Sequence, residues 1–138
     1  MFVSPYEKVG GIVWFPRMLQ KIRLRAGSEL PTEYLPYMGI GFDERCVRFL
    51  GVDYDALVER VCEGGSDQDL LDWSFETGRQ PSDHEILIWN EFMIKRGWRD
   101  TDARPDELDE YKRKFGLGDR ADILTYFDFF EIDEGRKP

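Results

Sequence analysis

Three basic side chains near the beginning of the sequence are the residues best suited to binding a ligand or a partner. Arg17, Lys21 and Arg25 are spaced by four, so they share one face of any helix that contains them. Guanidinium groups bind carboxylates and phosphates through paired N–H donors. We therefore expect this basic edge to contact a small anionic ligand or a protein partner. The alternative is that the three side chains pair with acids elsewhere in the same fold.

Two tyrosines extend this candidate surface. Tyr34 and Tyr37 lie within residues 29–42, a segment that has no helical or strand period and contains two prolines and two glycines. The composition predicts an irregular loop beside the basic edge. We expect both rings to contribute to the contact surface.

A second candidate site centres on Asn90. On a helix predicted over residues 82–97, its amide projects within an apolar arc that includes Trp89 and Met93. An unpaired buried amide costs about 1–3 kcal/mol, so Asn90 needs a partner. It either forms a structural hydrogen bond to a loop carbonyl or lines a ligand pocket with Trp89. The second option supports the alternative hypothesis of an enzyme, with or without a metal ion, that uses carboxylates, Trp89, Asn90 and Arg17.

The residue types that usually carry catalysis or bind metals are sparse. His84 is the single histidine, and it lies in the first turn of its helix, where we expect it to be exposed. Cys46 and Cys62 lack an activating motif and are expected in the core. Acids near the end of the sequence could gather a divalent cation, but a solvated acidic tail is the better interpretation. The sequence thus predicts no metal, no cofactor and a non-enzymatic protein.

The charge distribution disfavours several partners. The chain of 138 residues has a net charge of −9, with +4 over residues 1–28 and −13 over the remainder. An acidic body repels phosphate, which argues against nucleic acid and anionic membranes. No apolar run approaches the ~18 residues of a membrane span, and no basic leader precedes an apolar segment. Because the two cysteines form no disulfide framework, we expect a cytoplasmic protein.

Short helices must position these residues. A cap residue, a helical apolar stripe and a closing glycine recur along the chain, and no segment in the first two-thirds alternates like a strand. The predicted helices begin at Pro16, Asp43, Asp53, Ser66, Ser82, Pro105 and Asp119. The expected fold is all-α, a compact orthogonal bundle of six or seven short helices in a single domain over residues 1–138. We expect its polar tail to fray from about residue 133. The sequence is compatible with a monomer or a homodimer.

Several short motifs are distinctive in combination and span nearly the whole chain. They are Ser4-Pro5, Gly10-Gly11-Ile12-Val13-Trp14-Phe15-Pro16-Arg17-Met18, Phe49-Leu50-Gly51-Val52-Asp53-Tyr54-Asp55, Ile88-Trp89-Asn90, Lys95-Arg96-Gly97, Gly116-Leu117-Gly118-Asp119-Arg120-Ala121-Asp122-Ile123 and Asp133-Glu134-Gly135-Arg136. In these motifs the chain resembles the bacterial domain of unknown function 5069 family. The resemblance implies a small helical bacterial protein of the cytoplasm and brings no established activity or catalytic residues.

Overall fold

The fold of this chain is mostly helical. The computed structural model describes residues 2–104 and 106–138. In chain order these ranges contain β1 (Lys8–Val9), β2 (Ile12–Val13), α1 (Phe15–Ala26), a 3-10 helix (Thr32–Tyr37), α2 (Phe42–Leu50), α3 (Tyr54–Cys62), α4 (Asp67–Thr77), α5 (Asp83–Lys95), α6 (Glu107–Lys114) and α7 (Tyr126–Asp133). The helical class is confirmed, whereas the predicted count of six or seven helices is low against the eight described. No described helix combines the length and apolar character needed to cross a lipid bilayer.

A small antiparallel hairpin precedes α1, and the sequence analysis missed it. Each strand is two residues long, with Lys8 paired to Val13, so no alternating pattern could develop. The signal that was present is the Gly10-Gly11 pair. Both glycines have positive φ, +57° and +78°, as a two-residue hairpin turn that follows the strand twist requires. The all-α description is therefore approximate.

The main hydrophobic core lies around β2 and α1. Helical spacing places Met18, Leu19, Ile22 and Ala26 on one face of α1. The first three are buried, whereas Ala26 at the end of the helix is exposed. A smaller cluster forms where α6 meets α7, and its buried members are Leu108, Ile123, Tyr126 and Phe129. The two clusters share partly buried Phe42 and Phe130, so the aromatic residues of α2 and α7 connect them.

The capping side chains show which of the predicted helix starts are correct. The side chains of Asp53, Ser66 and Ser82 accept hydrogen bonds at the start of α3, α4 and α5, and the last two form complete capping boxes. Asp119 was wrong as a cap, because Thr125 accepts from the backbone N–H of Asp128 at the start of α7. The predicted helix start at Pro105 lies outside the described residues.

Two polar residues of the tail that was predicted to fray, Glu134 and Arg136, are bonded to the beginning of the chain. Arg136 donates to Glu131 Oε1 at 2.6 Å and to the Phe2 carbonyl oxygen at 2.8 Å. Glu134 is 8% exposed and pairs with Arg17. The described part of this segment is thus held by charge-assisted hydrogen bonds.

Candidate functional site

A cavity of about 800 Å³ lies between α1, the 3-10 helix, α2, α6 and α7. Half of its lining residues are aromatic: Phe2, Trp14, Tyr34, Tyr37, Phe42, Tyr111, Phe115, Tyr126, Phe129 and Phe130. The volume falls in the range that accommodates a small-molecule ligand. Buried Trp14, Arg17 and Lys21 form its floor, and exposed Glu33 and Asp133 lie at its mouth.

Trp14 joins the hairpin to α1 and lies on the cavity floor. Its φ is +75°, a left-handed value that costs a residue other than glycine about 1–3 kcal/mol. The surrounding structure holds it there, because the indole Nε1 donates to Asp43 Oδ1 at 2.9 Å and the ring lies 4.7 Å from that of Phe42. This strained residue presents an aromatic surface to the cavity.

Arg17 is a buried cation with a matched acid. Its side chain is 2% exposed and donates to both carboxylate oxygens of Glu134, at 2.8 and 2.5 Å. The guanidinium carbon also lies 4.7 Å from the Phe130 ring centroid, within cation–π range. Burial raises the pKa of Glu134, but hydrogen bonds and charge from Arg17 and Arg136 outweigh it and lower this pKa below its ordinary value. Glu134 is therefore a weak base.

Lys21 is the second buried cation. Its ammonium donates to Asp43 Oδ2 at 2.8 Å, and the same carboxylate oxygen accepts from the Gly39 backbone at 3.1 Å. Burial lowers the pKa of Lys21 by more than the nearby Asp43 raises it. Asp43 was expected to cap α2 from outside, but it lies within that helix, fully buried, and serves as the counter-ion of Lys21.

The expected exposed basic edge is therefore wrong as a description of the surface. Arg17 and Lys21 are buried and paired with acids of the same chain, which was the alternative for this stripe. Only Arg25 of the three lies exposed to solvent, and it does not line the cavity. Spacing by four correctly placed the residues on one face of α1, but that face points inward at its first two turns.

Tyr34 and Tyr37 line the same cavity from the 3-10 helix, which replaces the irregular loop expected there. The Tyr34 hydroxyl donates to Glu134 Oε2 at 3.2 Å, and burial together with the Glu134 charge raises the pKa of Tyr34 to about 12. The Tyr37 hydroxyl accepts from Lys114 Nζ at 3.1 Å, a bond that lowers the pKa of Tyr37. The structure thus brings Arg17, Lys21, Tyr34 and Tyr37 together around one cavity.

Unused hydrogen-bond donors concentrate in this cavity. Four buried side-chain polar atoms find no hydrogen-bond partner among the described residues, and three of them belong to cavity-lining residues: Arg17 Nε, Arg96 Nε and the Tyr126 hydroxyl. The fourth is the hydroxyl of Tyr54. Buried polar atoms are nearly always paired, so this concentration needs an explanation. Each of the three can donate a hydrogen bond, and each belongs to a residue that lines the cavity.

Asn90 and Trp89 do not form a ligand pocket together. The Asn90 amide donates to the Gly11 carbonyl oxygen at 2.8 Å and accepts from the Val13 N–H at 3.1 Å. Trp89 stacks on Phe49 with ring centroids 4.7 Å apart. Asn90 therefore holds the hairpin, which is the structural role left open for it. Because neither residue lines the aromatic cavity, the enzyme hypothesis loses the convergence with Arg17 that it required.

Several cavity residues were not among the sequence-predicted binding residues. They include Tyr111 on α6 and Tyr126, Phe129 and Phe130 on α7. A helical aromatic stripe predicts burial in the core before it predicts a ligand. The available signal was the aromatic content of 14%. His84 is exposed on α5 as expected, whereas Cys62, expected in the core, is also exposed. Among the described residues no three His, Cys, Asp or Glu side chains converge as a metal site.

Fold and site together define a small, mostly helical protein that encloses an aromatic cavity above two buried ion pairs. The chain belongs to the family described as Domain of unknown function (DUF5069), whose model matches residues 1–136. This match covers essentially the whole chain and confirms the resemblance seen in the sequence motifs. A comparison with curated proteins finds no match to the chain.

Proposed function

We propose that this protein binds a small molecule in the aromatic cavity and does not transform it. The observation that carries the proposal is the concentration of unpartnered buried donors there, on Arg17, Arg96 and Tyr126. Leaving a buried donor unpaired costs about 1–3 kcal/mol, and a ligand acceptor would recover that cost. The cavity volume and its aromatic walls support the same conclusion.

The residues that line the cavity indicate which chemical groups the ligand carries. A flat apolar body would pack against Trp14 and Phe42, whose rings are 4.7 Å apart at the cavity wall. An acceptor such as a carbonyl or carboxylate oxygen would face Arg17 and Lys21, whose ammonium donates only to Asp43 among the described residues. In this proposal the predicted binding residues Arg17 and Lys21 act from inside a cavity, not from an exposed edge.

The buried carboxylates support binding over catalysis. Glu134 accepts hydrogen bonds from Arg17, Arg136 and Tyr34. Asp43 accepts three hydrogen bonds of its own. Because Glu134 holds donors with four hydrogen bonds and Asp43 with three, neither of these two carboxylates is well placed to act as a general base. We therefore favour a binding module over an enzyme.

We also propose a cytoplasmic location, supported by the two free cysteines, Cys46 and Cys62. Whether the binding module works as a homodimer is a separate prediction, to be tested by light scattering at micromolar concentration. A protein partner on exposed Arg25 is the corresponding alternative to a small ligand. Charge reversal at Arg25 would abolish that capture without changing the cavity.

The experiment compares two hydroxyls that lack partners. Removing the Tyr126 hydroxyl (Tyr126→Phe) deletes a donor inside the cavity, and removing the Tyr54 hydroxyl (Tyr54→Phe) deletes one outside it. Benzamide serves as the probe, followed by backbone amide NMR shifts. We expect saturable shifts at cavity residues, with an affinity about fivefold weaker in Tyr126→Phe, since one hydrogen bond is worth about 1 kcal/mol.

The matched control makes the outcome decisive. Neither hydroxyl has a partner to lose, so neither variant should be less stable than the wild type. Tyr54→Phe should bind the probe like the wild type. If the cavity is closed to ligands, benzamide will cause no saturable shifts of the backbone amides that line it. That result would overturn the proposal. Equal binding by all three proteins would show that the unpartnered Tyr126 donor is not part of a binding site.

A further inference from the structure

The mouth of the aromatic cavity carries acids that lack a basic partner. Glu33 and Asp133 are exposed, Glu107 is half-buried, and all three line the cavity. None of their carboxylates forms an ion pair or a hydrogen bond with another described residue. Burial raises the pKa of Asp133, and the charges of Glu134 and Glu33 raise it further.

The basic side chains of the lining are already neutralised. Each of the four pairs with an acid of the same chain: Arg17 with Glu134, Lys21 with Asp43, Arg45 with Asp102 and Arg96 with Asp100. Lys114 hydrogen-bonds the hydroxyl of Tyr37 but does not line the cavity. The mouth therefore keeps an excess of negative charge, next to the rings of Tyr34 and Tyr37, whose faces also attract cations.

An independent observation points to a ligand among the buried lining residues of the cavity. Arg17 and Tyr126 are 2% and 8% exposed, and each carries a polar atom with no partner among the described residues. Their donors would bind an acceptor atom of a ligand on the floor of the cavity. The carboxylates of Glu33 and Asp133 would bind a positively charged group at its mouth. The donors belong to buried side chains and the carboxylates to exposed ones.

We infer that the ligand class is an aromatic amine: a flat ring with a hydrogen-bond acceptor at one end and a protonated amine at the other. The acceptor faces Arg17 and Lys21, and the amine lies between Glu33 and Asp133. This inference rests on the proposed binding function and refines its ligand. A purely anionic ligand would meet the uncompensated acids of the mouth on its way in.

The test uses two probes that differ only in charge. Para-(aminomethyl)benzamide carries a protonated amine, and para-(hydroxymethyl)benzamide is its neutral counterpart of similar size. Titrations are followed by backbone amide NMR shifts in the wild type, in Glu33→Gln with Asp133→Asn, and in Glu59→Gln as a control. Glu59 is exposed on α3 and lies outside the cavity lining. Because all three acids are exposed, the variants are expected to fold.

We expect the amine to bind about fivefold more tightly than the alcohol, since an ion pair with an exposed acid is worth at most about a factor of five. That preference should shrink to about twofold in the Glu33/Asp133 variant and persist in Glu59→Gln. Equal binding of amine and alcohol by the wild type would overturn the inference and leave the proposed function standing. A preference that survives both cavity substitutions would also overturn it. No saturable binding of either probe would overturn the proposed function itself.

Discussion

Replacing Glu134 with glutamine (Glu134→Gln) tests the ion pair on which the cavity is built. Arg17 is 2% exposed and Glu134 8%, so the substitution leaves a buried guanidinium without its counter-charge. Breaking a buried pair from one side costs about 3–5 kcal/mol. Glutamine keeps one acceptor oxygen, so we take the lower value, about 3 kcal/mol. With a urea dependence of about 1.5 kcal/mol per molar for a chain of this size, the unfolding midpoint should fall by about 2 M.

The same substitution carries a pH signature. The pKa of Glu134 is lowered in the folded protein from its ordinary value of 4.5, so its ionised form stabilises the fold above that value. This contribution is lost as the pH falls through the lowered folded-state pKa. The wild type should therefore lose stability between pH 4.5 and more acidic values, whereas the variant lacks this component. The difference in the free energy of unfolding between the two proteins should shrink on acidification.

Urea titrations followed by tryptophan fluorescence measure both effects, and an exposed pair supplies the control. Glu91 pairs with Lys95 on the surface of α5, with more than half of each side chain exposed. Exposed pairs contribute little, so Glu91→Gln should unfold close to the wild type. The reasoning is refuted if Glu134→Gln and Glu91→Gln unfold at the same urea concentration at neutral pH.

Two further predictions concern the scaffold. Alanine at Gly78 would place its Cβ 2.0 Å from the Leu50 carbonyl oxygen, whereas at Gly27 the nearest backbone atom is 3.6 Å away. Gly78→Ala should therefore lower the free energy of unfolding by about 2 kcal/mol, whereas Gly27→Ala should change it little. Equal stabilities of the two variants would contradict the close packing of Gly78 against Leu50. Asn90→Ala removes both hydrogen bonds to the hairpin and leaves the buried N–H of Val13 unpaired. It should cost about 1–3 kcal/mol in chemical denaturation, and an unchanged midpoint would show that the hairpin holds without the amide.

Sequence patterns correctly predicted the features that depend on interactions between residues close together in the chain. The capping boxes at Ser66 and Ser82 involve residues three positions apart, and the structure contains both. The inward face of α1 also followed from spacing, through Met18 and Ile22. These features depend on neighbours within one helical turn, which a sequence displays directly.

The burial of the two cations could not be predicted in the same way. Arg17 and Lys21 are charged, and charged side chains are exposed unless an acid accompanies them inside. Their acids, Glu134 and Asp43, lie 117 and 22 positions further along the chain. No local pattern selects these two among 28 acidic residues, so a basic stripe on a helix was interpreted as surface. The cavity could not be predicted from a local pattern either, because its walls come from helices at opposite ends of the sequence.

The long separation between Arg17 and Glu134 also determines when the cavity can form. Closing a loop of 117 residues costs about 4 kcal/mol of chain entropy, a cost that short-range contacts between neighbouring helices avoid. We expect these local contacts to form early and the Arg17–Glu134 pair to form after the folding transition state. The cavity is then completed last, and a molecule bound in it would slow unfolding without accelerating folding.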